Sequence, residues 1–113
     1  MVCLGRWVRH GAAQVRVRVT SQDADAQYGM VVSIRPRHEM EPLPASLQFS
    51  RSALTAGAQW QVPAFSRCEF TLACDRDSDL DTVIEINGVE VFRSVCSAEP
   101  SGLAGRWKLT TTE

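Results

Sequence analysis

Imidazole is scarce in this chain, where His10 and His38 are the only histidines among 113 residues. Histidine is the side chain most often used for proton transfer near neutral pH, and neither of these belongs to a recognisable nucleophile motif. There is no glycine-rich phosphate loop and no Cys-x-x-Cys pair, and the four cysteines, Cys3, Cys68, Cys74 and Cys96, are spaced unlike zinc ligands. Catalysis is therefore not expected. No apolar run approaches the roughly 18 residues that a membrane helix needs. Met1 to Leu4 is followed at once by Gly5 and Arg6, too short for the apolar centre of a secretory signal. These absences predict a cytoplasmic chain, at most peripheral to a membrane or the cytoskeleton. A balance of 12 basic against 13 acidic side chains gives a net charge of -1, which argues against nucleic-acid binding through phosphate neutralisation.

What the sequence does contain is alternation. Gln14-Val15-Arg16-Val17-Arg18-Val19-Thr20 places an apolar residue at every second position, which a pleated strand turns into one buried and one wet face. Tyr28, Met30, Val32 and Ile34 repeat the pattern until Pro36 removes a backbone donor. Leu47 with Phe49, Trp60 with Val62, the run Cys68 to Cys74, the two flanks of Asn87-Gly88, and Arg106 to Thr110 supply the other candidates. Helical periodicity is confined to Ser50 through Leu54, one or two turns at most before Gly57. Short alternating segments between turn clusters predict an all-β fold, an antiparallel sandwich of seven or eight strands, C2-like or jelly-roll-like. A chain of this length fits one domain over residues 1–113, with 1–12 as a loosely ordered N-terminal arm. The expected core is Val15, Val17, Val19, Met30, Val32, Ile34, Phe49, Trp60, Phe70, Leu72, Ile84, Val91, Trp107 and Leu109. Cys68 and Cys74 share the face of Phe70 and Leu72 and read as buried thiols. A bond between Cys74 and Cys96 stays open.

Asn87-Gly88 is the strongest local signal, because these residues supply the two positive-φ positions of a type I′ hairpin turn. A two-residue loop pairs Ile86 with Val89, Glu85 with Glu90, Ile84 with Val91 and Val83 with Phe92. Like charges opposed in this way repel. Glu85 and Glu90 must therefore splay into water, meet an arginine from a neighbouring strand, or share a cation; they are also candidate partner contacts. Upstream, Asp75, Asp77, Asp79 and Asp81 alternate in an oxygen-rich stretch with the character of a calcium loop, although Leu80 and Ile86 stand where an EF-hand needs Gly and Glu. The alternative is a solvated loop whose carboxylates cap their own turns. Arg16 and Arg18 on the outer face of one strand, with Arg35, Arg37 and His38 after the next, form a candidate anion- or lipid-binding patch. Trp60 and Trp107 lie on apolar parity and are expected in the core, while Trp7 covers one end or docks on a partner.

The stretch Gln61-Val62-Pro63 leading to Glu69-Phe70-Thr71-Leu72 resembles the C2-like sandwich modules of calpains. The Asp77-to-Asp81 segment is similar to bacterial pre-peptidase C-terminal modules. Together the resemblances cover about residues 59–92, and they imply a noncatalytic accessory domain binding phospholipid, calcium or a protein neighbour. The sequence thus reads as a non-enzymatic module that binds a protein through loops or a sheet edge. The alternatives are a calcium- or anionic-lipid-binding C2-like module, with calcium as the one candidate cofactor, and a carbohydrate-binding module.

Overall fold

The computed structural model describes residues 1–37 and 45–113; His38 and the part of the Arg35-to-Pro44 turn that follows it lie outside them. Among the described residues nine strands and one short helix follow in the order β1 (Cys3–Arg9), β2 (Ala13–Thr20), β3 (Tyr28–Pro36), β4 (Ala45–Phe49), α1 (Arg51–Ala56), β5 (Ala58–Val62), β6 (Ser66–Cys74), β7 (Asp79–Ile86), β8 (Val89–Ser97) and β9 (Leu103–Thr111). They form two sheets, which we term A and B. Sheet A runs β1-β9-β6-β3-β4 and sheet B runs β5-β2-β7-β8. All neighbours are antiparallel except β1 and β9.

The all-β sandwich is as the alternation predicts, with one strand more than expected. That strand corrects the reading of residues 1–12 as a loose arm. Cys3–Arg9 pairs in parallel with β9 along its whole length, Cys3 with Gly105 through Arg9 with Thr111. It was hard to see locally because Gly5 breaks the apolar alternation.

Alternation converts directly into burial. In β2 the burial pattern is strictly alternate, with Val15, Val17 and Val19 fully buried. Of the expected core, Phe49 and Val91 are only half-buried, and both pack against it. Leu54 joins the core from α1. The helix stops at Gly57, whose positive φ of 105° suits glycine and whose N–H reaches the Ala53 and Leu54 carbonyls.

Six aromatic rings form one connected set through the interior. Phe70 stacks on Trp107 at 5.6 Å and Trp7 at 6.4 Å, and meets Trp60 edge-on at 5.3 Å. Phe49 extends the set from Trp60, and Phe92 from Trp107. Trp7 therefore turns inward, which corrects its assignment as a partner contact: its parity in β1 points it at Phe70. The fully buried Trp107 indole exists because two neighbours lack a side chain. A Cβ on Gly105 would stand 2.2 Å from the ring, and one on Gly5 2.9 Å from it.

The two open flanks of the sandwich are closed differently. On one side α1 crosses from β4 in sheet A to β5 in sheet B. On the other, Cys3 of β1 and Cys96 of β8 form a disulfide with Cα atoms 5.6 Å apart, and the Ser97 N–H donates to the Met1 carbonyl at 2.8 Å. Cys96 is thus not paired with Cys74. Cys74 lies on β6, a central strand of sheet A, whereas Cys3 lies on the edge strand β1, and Cys74 is a buried free thiol like Cys68. Burial pushes the Cys68 thiol up to about 11, opposed by the Trp60 indole N–H, so it stays protonated and inert near neutral pH.

Two measurements check this account. Gly105→Ala should unfold the chain or lower its melting temperature far more than Gly88→Ala in solvent, because only the former drives a methyl into Trp107; thermal denaturation followed by circular dichroism compares them. Reducing Cys3–Cys96, or replacing both cysteines with Ser, should destabilise the fold by roughly 2–5 kcal/mol, since the bond closes a loop of most of the chain.

Candidate functional site

The β7–β8 hairpin forms as its turn dictates, with Asn87 at φ 52° and Gly88 at φ 78°. Ile86 faces Val89 and Glu85 faces Glu90. Beyond them the register shifts, pairing Ile84 with Phe92 and Val83 with Arg93 in place of Val91 and Phe92. A bulge adds one residue to β8. Its effect is electrostatic. In a regular strand Glu90 and Arg93 would lie on opposite faces, whereas here the Arg93 guanidinium donates to the Glu90 carboxylate at 2.6 and 3.1 Å. Glu85 lies 4.0 Å from Arg16, its cross-strand neighbour in β2. The opposed glutamates are thus met by arginines, and the Arg93 bond holds the Glu90 carboxyl below its ordinary pKa.

The carboxylates of the acidic stretch stitch loops together at one end of the sandwich. Asp75 accepts the Gln27 N–H at 3.0 Å and pairs with Arg76 at 3.3 Å, and both interactions lower its pKa. Asp23, which the sequence reading did not single out, accepts from the Ser78 hydroxyl at 2.8 Å and the Asp25 N–H at 3.0 Å, with the same effect. The loops before β3 and before β7 are thereby laced in both directions. Arg51 of α1 holds the first of them from beneath, donating to the Asp23, Ala24 and Ala26 carbonyls while lying 5.0 Å from the centre of the Tyr28 ring. Asp79 accepts from Ser97 at 3.2 Å. Asp77, Asp79 and Asp81 border an open cleft of roughly 540 Å³ together with Asp23. Among the described residues, no three His, Cys, Asp or Glu side chains are grouped so as to hold a metal ion.

The proposed arginine patch is not assembled. Arg16 and Arg18 stand on the outer face of sheet B, but the chain crosses to the other sheet before β3, so Arg35 belongs to sheet A. Arg37 donates to the Thr111 carbonyl at 3.2 Å.

A different basic surface takes its place. Exposed Arg6 of β1, Arg106 and Lys108 of β9, Arg67 of β6 and Arg35 of β3 share the outer face of sheet A. Glu69 is the only carboxylate side chain in the five strands of that sheet, and it lies 3.5 Å from Arg106. Register opposes the remaining cations to one another: Arg6 faces Lys108, and Arg35 faces Arg67. Among the described residues none of these four has a carboxylate within ion-pair distance. They surround a shallow concavity of roughly 720 Å³ whose walls include Val8 and Val31 and no aromatic ring. Only Arg35 of this set was singled out from sequence. The five cations come from four strands, so no local window holds more than two of them.

No family model matches the chain, and no curated protein matches it. Among solved structures, the NMR structure of the calcium-bound form of a protein from Parabacteroides distasonis aligns with a TM-score of 0.48 at 9% identity, covering 87% of this chain and 92% of that one. No helix among the described residues is long and apolar enough to cross a membrane.

The lowered carboxyl groups of Asp23 and Asp75 make a pH prediction. A group whose pKa is depressed on folding stabilises the native state above its unfolded value, and that contribution is lost as pH falls through the folded value. Starting from an ordinary value of 3.8, the melting temperature should fall below about pH 4. In Asp23→Asn/Asp75→Asn, which keeps the acceptor oxygens, thermal melts from pH 7 downward should show a shallower decline.

Proposed function

We propose that this chain is a non-enzymatic binding module that takes an anionic partner on the outer face of sheet A. One observation carries the reading: two directly opposed cation pairs, Arg6 with Lys108 and Arg35 with Arg67, have no carboxylate within ion-pair distance among the described residues, since Glu69, although it stands opposite Lys108, lies on Arg106. Like charges facing each other across strands oppose folding. The chain relieves the equivalent problem at Glu85 and Glu90 with Arg16 and Arg93. Leaving it in place on sheet A fits a surface whose counter-charge comes from outside, since binding sites are where local rules of stability are broken. Guanidinium groups favour this use because their fixed fork of donors matches a carboxylate or a phosphate. The three tryptophans pack inward, which leaves a carbohydrate groove without its stacking platform. Cys3–Cys96 suits an oxidising compartment better than the cytoplasm expected from the N-terminus.

Retention on a carboxylate-bearing matrix at low salt and pH 7.5 tests the proposal. A protein of net charge -1 should bind weakly if its charges are evenly spread, yet this one should be retained. Lys108→Glu should abolish retention, while Arg18→Glu on sheet B, an equal change in total charge, should preserve it. Equal loss in both variants would remove the reading. Arg67→Gln should weaken retention and raise the melting temperature, since it removes one member of an opposed pair.

A further inference from the structure

We infer that the occupant of the sheet A face is an extended acidic segment of another protein, with carboxylates at alternate positions. This rests on the anion-binding reading above and specifies its ligand. The register places the cations as a diagonal band. Arg106 and Lys108 are two residues apart in β9, Arg6 lies beside Lys108, and Arg67 with Arg35 lie one side-chain step further along on the next strands. At ordinary strand and residue spacings the band runs about 17 Å from Arg106 to Arg35, the reach of roughly five residues of extended chain. Alternate side chains of such a segment point the same way about every 7 Å, a spacing comparable to that of successive cationic positions along the band.

Three features favour a peptide over other anions. Glu69 sits in the middle of the band, opposite both Lys108 and Ser33. A uniform phosphodiester backbone would bring negative charge against it, whereas a peptide can present an N–H donor. Val8 and Val31 are 58% and 48% exposed and flank the band on either side, apolar ground that the aliphatic stems of an acidic segment's side chains can cover. The surface has no aromatic lining, so unstacked bases would find no ring to lie on.

The experiment uses fluorescence anisotropy on the whole chain, with a labelled heptapeptide of alternating glutamate and valine and a labelled short DNA duplex. Co-sedimentation with phosphatidylserine vesicles supplies a third arm. The peptide should bind at low ionic strength and weaken with salt, by roughly tenfold or more in Lys108→Glu or Arg67→Glu, and hold its affinity in Arg18→Glu. Glu69→Gln should improve binding of the duplex more than that of the peptide. Circular dichroism of each variant separates lost binding from lost fold. If the duplex or the vesicles bind with this variant dependence and the peptide does not, the acidic-segment inference falls while the anion-binding reading stands. If the chain instead associates with itself in a way that Lys108→Glu abolishes, a second copy is the occupant and the inference again falls. Binding of none of these probes overturns both.

Discussion

Phe70 is in contact with rings from both sheets, and the geometry of the sandwich follows from satisfying those contacts at once. Trp7 and Trp107 approach it within sheet A, and Trp60 approaches from sheet B. Through Phe49 and Phe92 the set reaches β4 and β8, strands at the edges of the two sheets. Aromatic side chains bury large areas and prefer stacked or edge-on arrangements, so six of them interlocked leave little freedom for one sheet to slide on the other. Gly5 and Gly105 belong to the same constraint, because the Trp107 indole occupies the space their side chains would need. The disulfide and α1 then act at the flanks, where the aromatic set does not reach.

With the interior fixed, the two outer faces are free to differ, and they do so in charge. The outer face of sheet B carries charges of both signs, with Arg16 near Glu85 and Arg93 on Glu90. The outer face of sheet A carries five cations around one glutamate. The bulge in β8 is the device behind part of this contrast, since it turns Arg93 onto the face where Glu90 needs it. Among the described residues no ion pair relieves Arg6 and Lys108, or Arg35 and Arg67.

The acidic end illustrates a different use of charge. Asp23 and Asp75 exchange hydrogen bonds between two loops, and Arg51 anchors one of those loops to the helix. Carboxylates that accept backbone N–H bonds favour their ionised form, so these side chains order the connections between the sheets. Asp23, outside the acidic stretch, caps its own turn through the Asp25 N–H, whereas Asp75 accepts the Gln27 N–H of another loop.

By itself the sequence determined what depends on neighbours along the chain. Period-two alternation in β2, β3 and β6 selects extended structure and sorts side chains between two faces; Asn87-Gly88 sets the hairpin; Gly57 ends the one helix. The pairing of Glu85 with Glu90 follows from a two-residue turn and could be read in advance. Tertiary structure decided whatever required knowing which sheet a strand joins. The parallel docking of β1, the partner of Cys96, the inward turn of Trp7 and the separation of Arg16 from Arg35 are all of this kind. The basic face is the fullest case: its cations lie on strands distant in sequence and adjacent in space, and only the backbone hydrogen bonds of a finished sheet bring them to one surface.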